Sequence, residues 1–121
     1  MLKSYKELDV WKKAYKFCLE IYKITKMFPD EEQYGLTSQM RRAAVSIPCN
    51  IAEGYGRKTK KENIQFLYVA YGSVCELETQ TMLVSDLGYI NSEMMTSLQQ
   101  DFRDIERMLK ALIKLLERST L

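Results

Sequence analysis

The residues best suited to carry chemistry are three glutamates, Glu53, Glu76 and Glu78, in a chain of 121 residues that contains no histidine. Carboxylates that project into a helical bundle can hold two metal ions, but histidines in Glu-x-x-His pairs usually complete that ligand set. Without histidine the chain also lacks His-dependent catalytic triads, His-ligated zinc and an imidazole general base. The sequence therefore predicts no catalytic residue, metal site, cofactor or small-molecule substrate. For Glu76 it predicts an internal ion pair or a capped polar pocket.

Basic side chains are concentrated in one short run and on one face of the first predicted helix. The run contains Arg57, Lys58, Lys60 and Lys61, and the helix face contains Lys12, Lys16, Lys23 and Lys26. The net charge is only +2, which by itself does not indicate a nucleic-acid binder. A basic run on a monomer is commonly a solvated loop, whereas an oligomer repeats the run on one side as a phosphate-binding patch.

A polar stripe follows the second predicted helix beside its apolar face. At 100° per residue its members share one sector, and they are Gln39, Arg42, Ser46, Asn50, Glu53 and Arg57. The stripe has two interpretations, a hydrogen-bonded seam between helices or subunits and a ligand-binding groove. The glycines at positions 54, 56 and 72 are expected to admit close backbone approach, and the small pair Gly72 and Ser73 in the third predicted helix is expected to let two helices meet closely.

Hydrophobic periodicity predicts the four helices that position these side chains, over residues 9–27, 31–56, 60–87 and 92–118. The expected N-terminal caps are Asp9, Asp30, Thr59 in a capping box with Glu62, and Asn91 or Ser92. Because proline lacks a backbone N–H, we expect a kink or a restart near Pro48, with Ser46 capping the restarted segment or bonding the freed backbone. Gly54 and Gly56 are expected to close the second helix, and Gly88 the third.

The third predicted helix carries no charged residue from Asn63 to Cys75, and its apolar side chains surround the helix axis. A helix that is apolar nearly all round is buried on more than one face. In a chain of four helices, the second buried face most simply packs on another subunit. Because the connections are short, we predict one all-α domain over residues 1–121, an up-down-up-down antiparallel four-helix bundle that forms a homo-oligomer.

The three cysteines, Cys18, Cys49 and Cys75, lie far apart in the sequence among apolar neighbours. No pair has C-x-x-C spacing, so we expect buried thiols in a reducing cytoplasm. The N-terminal segment lacks the apolar core of a signal peptide, and no apolar run approaches the roughly 18 residues of a membrane span. The sequence predicts a cytoplasmic protein with no membrane partner.

The string SIPCNIAEGYGR (Ser46 to Arg57), preceded by FPDEE and QMRRAAV, resembles the bacterial four-helix bundle proteins known as 23S rRNA intervening-sequence proteins. The segments LDVWKKAY and FLYVAYGSVCELET fit the same pattern. The resemblance implies a cytoplasmic bundle in a ring-like homo-oligomer, a homopentamer, and a more distant likeness in shape to the accessory variability determinant of diversity-generating retroelements. The positions that match the family motif are Asn50, Glu53, Gly54, Arg57, Gly72, Ser73 and Glu76, and we interpret them as architectural.

The leading hypothesis is a non-enzymatic homo-oligomer that associates with RNA or with a nucleic-acid-processing protein. The candidate nucleic-acid-binding residues are the two basic groups, Lys12, Lys16, Lys23, Lys26, Arg57, Lys58, Lys60 and Lys61. The alternative is a protein–protein scaffold in which nucleic acid has no role. An enzyme is the third class, and it would need a cleft with perturbed carboxylates around Glu53 and Glu76.

Overall fold

Four α-helices follow one another through residues 2–118, the part of the chain that the computed structural model describes. They span Asp9–Thr25 (α1), Leu36–Tyr55 (α2), Lys60–Asp86 (α3) and Ser92–Arg118 (α4), and short 3-10 helices over Tyr5–Glu7 and Asp30–Glu32 precede α1 and α2. These residues include no strand, so the all-α prediction is confirmed. Within the same residues, no helix is both long enough and apolar enough to cross a bilayer.

The helices pack in sequence order, and α4 closes the bundle by packing against α1. Arg41, near the start of α2, donates a hydrogen bond from Nε to Oγ1 of Thr25 at the end of α1 over 2.8 Å. Gly54, near the end of α2, lies against Asn63 near the start of α3. Neighbouring helices are therefore antiparallel. The starts of α1 and α3 and the ends of α2 and α4 lie at one end of the bundle.

The core lies along the axis between the helices and is continuous from one end to the other. Its fully buried large side chains include Ile21, Met40, Ile47, Ile51, Leu67, Leu77, Leu98, Phe102, Ile105 and Leu109. Phe17 and Phe102 meet edge to face at 4.9 Å between ring centroids, which joins α1 to α4. Burial of these apolar surfaces is the main favourable term in the free energy of folding.

The helical periodicity of α1 and α4 predicts their buried faces well. On α1, Val10, Ala14, Phe17, Ile21 and Ile24 are buried. The four predicted lysines of α1 (Lys12, Lys16, Lys23 and Lys26) are exposed. On α4 the predicted heptad stripe is buried at Leu98, Phe102, Ile105 and Leu109 but only half-buried at Met95, Leu112 and Leu116. Ile113 is buried in place of Leu112, because the 3.6-residue period drifts from a heptad along a straight helix.

One predicted cap and one predicted helix start are wrong. Helix α1 begins at Asp9 as predicted, but Asp9 is its first residue and not its cap, because Leu8 occupies the N-cap position without a side-chain bond. The predicted helix start at residue 31 is only a 3-10 turn, since Gly35 (φ −110°, ψ −115°) interrupts the helical conformation before α2 begins at Leu36. Gly35 occupies the N-cap position of α2, and Glu32 Oε1 accepts a hydrogen bond from the Leu36 N–H over 3.2 Å.

The second helix also differs from expectation at Pro48 and at its end. It continues through Pro48 with no restart, and the Ser46 hydroxyl bonds Ser73 Oγ at 2.7 Å instead of capping a new segment. Gly54 lies inside the helix, so it does not close it. Gly56 is the C-cap, which confirms that it closes the helix, but its φ of −78° is right-handed and not left-handed.

Three predicted helix boundaries are confirmed by their hydrogen bonds. Thr59 Oγ1 accepts from the Glu62 N–H at 3.1 Å and starts α3. Gly88 follows α3 with φ +81°, a backbone conformation that favours glycine. Asn91, and not Ser92, caps α4, because Asn91 Oδ1 accepts from the Met94 N–H at 2.8 Å.

Within a single chain, α3 is buried on one face only. Val69 and Leu83 are 52% and 49% exposed on the opposite face, and Leu87 is exposed beside them. Gly72 lies among them, and a Cβ built on it would meet nothing within 4 Å. The expectation that Gly72 lets two helices meet is therefore wrong within the chain. We call Val69, Gly72, Leu83 and Leu87 the outer face of α3, and its burial against another subunit stays a prediction.

Candidate nucleic-acid interface

The middle of the polar stripe forms a seam between α2 and α3. Ser46 Oγ lies 2.7 Å from Ser73 Oγ, and Asn50 Nδ2 donates to Ser46 Oγ at 2.9 Å and to the Ser46 carbonyl at 2.7 Å. All three side chains are half-buried. Buried polar groups are stabilised when they are hydrogen-bonded in this way. The seam interpretation therefore holds for Ser46 and Asn50, while Gln39 and Arg42 of the same stripe are exposed.

Gly54 is where α2 and α3 approach most closely among the glycines. A Cβ at this position would lie 2.9 Å from Asn63 Oδ1, 2.9 Å from Phe66 Cβ and 3.0 Å from the Asn63 carbonyl oxygen. These distances are shorter than ordinary van der Waals contact. Glycine is required at this position because the crossing leaves no room for a side chain, and not because the helix ends there.

Glu53 and Arg57 of the motif belong to the surface of the α2–α3 turn. Arg57 donates from Nη2 to Glu53 Oε1 at 2.9 Å, and its guanidinium carbon lies 4.7 Å from the centroid of the Phe66 ring. Glu62 is a further carboxylate at 4.0 Å. An exposed ion pair of this kind contributes at most about 1 kcal/mol. Arg57 is thus held in place by the two carboxylates and the Phe66 ring.

The three glutamates Glu53, Glu76 and Glu78 do not come together at one site. Glu76 is exposed, and its Oε2 accepts a hydrogen bond from Gln80 Nε2 at 3.4 Å. The predicted internal ion pair or polar pocket for Glu76 is therefore wrong. Glu53 is exposed on another helix. Among residues 2–118 no three acidic or cysteine side chains cluster closely enough to hold a metal ion.

Glu78 has a carboxyl whose pKa the fold raises. It is half-buried between α3 and α4 and faces Glu106. Burial raises the pKa of Glu78 above its ordinary value of 4.5, and the hydrogen bond and the charge of Glu106 raise it further. Two carboxylates at one site favour a shared proton, since both cannot ionise without repulsion.

Replacing Glu78 with glutamine is expected to stabilise the fold near neutral pH by on the order of 0.5 kcal/mol. Because the pKa of Glu78 is raised in the folded state, the wild-type loses stability as the pH rises from the unfolded pKa through the folded one. Glutamine does not ionise and removes that loss. Urea denaturation at about pH 7 and about pH 4 measures it: the gain should be present at the higher pH and vanish at the lower. Equal stability at both values would contradict the carboxyl pair.

The cysteines are more accessible than the sequence predicts. Cys49 and Cys75 are exposed and Cys18 is half-buried, so the prediction of buried thiols is wrong for two of the three. Burial, followed by the nearby Cys49, raises the pKa of the Cys18 thiol. Both line an apolar groove of about 320 Å³ between α1 and α2. We call it the α1–α2 groove, and its other lining residues are Tyr5, Trp11, Tyr15, Leu19, Val45, Pro48 and Ala52.

The fold separates the candidate nucleic-acid residues into two places. The run from Arg57 to Lys61 joins the end of α2 to the start of α3, at the end of the bundle where α1 begins near Lys12. Tyr55 supports this placement, because its hydroxyl donates to the Leu2 carbonyl at 3.1 Å. Lys26, by contrast, follows the far end of α1 at about 21 Å along the helix from Lys12. Lys16 lies between the ends, and Lys23 lies near Lys26.

The fourth helix adds cations that the sequence analysis did not single out. Arg103, Arg107, Lys110, Lys114 and Arg118 recur at steps of three and four residues and are all exposed. Lys114 and Glu117 line a groove with Tyr68 of α3, so the last turns of α4 lie beside the first half of α3 and bring Lys114 and Arg118 toward the end of the bundle that holds the turn and its cluster of cations. We call this cluster the basic end, and it consists of Lys12, Arg57, Lys58, Lys60, Lys61, Lys114 and Arg118. The spacing on α4 was visible in the sequence, but its position beside the turn was not.

Both the sequence and the structure of the chain are similar to those of known proteins. The sequence profile described as the 23S rRNA-intervening sequence protein matches residues 6–111. The chain belongs to that family. The structure is similar to the crystal structure of a protein of unknown function from the S23 ribosomal protein family of Bacteroides thetaiotaomicron VPI-5482. The TM-score is 0.81 and the identity 26%, covering 87% of this chain and 95% of that one. No curated protein matches the sequence.

In this member of the 23S rRNA-intervening sequence protein family, the motif residues take two structural roles. Asn50, Gly54 and Ser73 hold α2 against α3 by hydrogen bonds and close packing. Gly72 and Glu76 lie on exposed positions of α3 and take no part in that contact. The second pair is therefore unexplained by the packing of a single chain.

Proposed function

We propose that this family member is a non-enzymatic, self-assembling bundle that binds RNA in the cytoplasm through its basic end. The observation that carries the proposal is the convergence of three separate basic segments at one end of the bundle. Arg57 to Lys61 lie at the turn between α2 and α3, Lys12 lies near the start of α1, and Lys114 and Arg118 lie in the last turns of α4, and all are on the same half of the bundle. Lys and Arg side chains that are concentrated on one surface neutralise phosphates and supply most of the affinity for nucleic acid.

The remaining charges support the same proposal. The opposite end carries five carboxylates, Asp30, Glu31, Glu32, Asp86 and Glu93, against four cations, Lys23, Lys26, Arg41 and Arg42. The net charge of +2 therefore describes a molecule whose excess positive charge is concentrated at the basic end. Such a field orients an approaching polyanion toward the basic end and speeds its association.

Two exposed apolar surfaces support self-assembly. The outer face of α3 exposes Val69 beside Gly72 and, past the exposed Glu76, Leu83 and Leu87, while the α1–α2 groove opens on another side of the bundle. Exposed apolar side chains grouped on a monomer mark an interaction site. Two different surfaces that meet each other make a head-to-tail contact, which closes into a ring when the rotation permits. A ring-like homo-oligomer, a homopentamer by family resemblance, would place every basic end on one side.

The test is RNA binding as a function of salt. We expect a fluorescently labelled fragment of ribosomal RNA to bind with an affinity that falls steeply between about 50 and 200 mM salt, because phosphate contacts release counterions. The variant Lys58→Glu/Lys61→Glu should weaken binding at least about tenfold and reduce the salt slope. Fluorescence anisotropy measures both quantities.

The matched control is Lys23→Glu/Lys26→Glu, which changes the net charge equally at the other end. It should weaken binding by less than about threefold, through the long-range field alone. Equal losses for the two variants would show that total charge and not the basic end governs binding. An absence of binding at low salt would overturn the RNA proposal.

The second candidate is a protein–protein scaffold, and the α1–α2 groove favours it. Trp11 and Tyr15 lie there with ring centroids 5.1 Å apart, and aromatic side chains of this kind anchor protein partners. A partner that stays bound to the chain after nuclease treatment, and that is released by Tyr15→Glu, would favour the scaffold over RNA binding.

A further inference from the structure

We infer that the groove between α3 and α4 binds a short single-stranded RNA segment, with bases stacked on tyrosine and phosphates held by the cations of α4. The inference rests on the proposed RNA function and assigns it a second, specific contact surface. The groove has a volume of about 800 Å³. We call it the α3–α4 groove, and its polar and aromatic lining residues are Tyr68, Tyr71, Arg103, Glu106, Arg107, Lys110, Lys114 and Glu117.

The cations form one row along the groove. Arg103, Arg107, Lys110 and Lys114 are separated by four, three and four residues, so they share one side of α4. At about 1.5 Å per residue, successive members are roughly 5–6 Å apart and the row is about 17 Å long. A groove that follows a sugar-phosphate backbone needs positive charges repeated along its length. The row is long enough for about three nucleotides.

The tyrosines supply faces for stacking. Tyr68 is 54% exposed, and the Tyr71 ring is half-buried with Lys110 Nζ at 5.4 Å from its centroid. Exposed aromatic rings beside a basic groove are the usual platform for unpaired bases, because every base has a stacking face. Tyr68 is therefore the main platform, and Lys110 connects the stacking surface with the phosphate row.

Two carboxylates also line the groove, and the balance of charge bears on which ligand it binds. Glu106 and Glu117 lie among four cations, so the groove remains positive, and Glu106 also shares a hydrogen bond with Glu78. An acidic peptide would satisfy the cations equally well. The acidic side chains that would pair with the cations cannot stack on the exposed Tyr68 ring, whereas a base can, and this ring makes RNA the favoured occupant.

The experiment measures binding of a labelled hexauridylate by anisotropy at low salt. Tyr68→Ala should weaken binding by about tenfold, the usual loss of one stacked base, while Tyr68→Phe should stay within about twofold because the ring remains. Lys114→Glu should also weaken binding by about tenfold. Sedimentation velocity and circular dichroism on each variant verify that the fold and the oligomeric state are unchanged.

The outcomes separate the two levels of the proposal. If Tyr68→Ala binds as the wild-type does while Lys58→Glu/Lys61→Glu binds weakly, the groove assignment is overturned and the basic end stands. If no RNA binds at all, both are overturned. If a glutamate hexapeptide binds as tightly as the hexauridylate, and Tyr68→Ala weakens the binding of neither, the groove takes acidic peptides and the RNA assignment is wrong.

Discussion

Replacing Gly54 with alanine is expected to destabilise the folded chain by about 1–3 kcal/mol. The new Cβ would lie 2.9 Å from both Asn63 Oδ1 and Phe66 Cβ and 3.0 Å from the Asn63 carbonyl oxygen. One of these three is backbone and another is a Cβ, so neither can rotate away. The helices α2 and α3 must therefore separate, which also strains the Ser46–Ser73 hydrogen bond between them.

The matched control is Gly72→Ala, the same substitution on the partner helix. A Cβ there meets nothing within 4 Å, so alanine should stabilise the isolated chain by about 0.5–1 kcal/mol through its higher helix propensity. Urea denaturation at a protein concentration where the chain is monomeric measures both free energies of unfolding. A Gly54→Ala variant as stable as the wild-type would show that α2 and α3 do not meet as closely as described.

Gly54 and Gly72 show which part of the helix packing can be predicted from the sequence and which part cannot. Both Gly54 and Gly72 sit beside small or polar residues, and both were expected to admit another backbone. Periodicity placed each on the correct helix, but it could not say which side of that helix another element covers. That depends on how helices of different lengths are offset along the axis. In the structure Gly54 lies at the α2–α3 crossing, whereas Gly72 is exposed to solvent.

Errors at the helix ends have a local cause. Asp30, Glu31 and Glu32 have the composition of a first helical turn, and they form a short 3-10 helix. Gly35 then takes a backbone conformation outside the helical region at the N-cap position of α2. The Glu32 carboxylate accepts a hydrogen bond from the first N–H of that helix. Propensity favours a turn of helix before Gly35 but does not determine whether the next residues continue it.

The candidate site was predictable in part for a similar reason. The basic run from Arg57 to Lys61 is evident as a string, and its exposure follows from its place between two helices. The contribution of α4 depends on two facts that local patterns do not contain: the antiparallel direction of α4 and the point where it stops. Lys114 and Arg118 join the basic end only because α4 ends beside the α2–α3 turn.

Replacing Leu83 with arginine is expected to raise the dissociation constant of the homo-oligomer by at least about 100-fold. In the proposed assembly a second copy covers the outer face of α3, where Leu83 is 49% exposed in the single chain. Arginine would lose the burial of a leucine side chain and would place an unpaired charge in an apolar contact. A combined cost of about 3 kcal/mol corresponds to two factors of ten in affinity.

Sedimentation velocity across micromolar concentrations measures this shift, with Thr96→Arg as the control. Thr96 is exposed on α4, so arginine there adds the same charge away from the outer face of α3 and should leave the mass unchanged. Because Leu83 is half in solvent already, the variant chain should keep its helical circular dichroism as a monomer. A wild-type chain that sediments as a monomer throughout that range would overturn self-assembly. Leu83 and Leu87 would then be expected to contact a different partner, one that binds the outer face of α3.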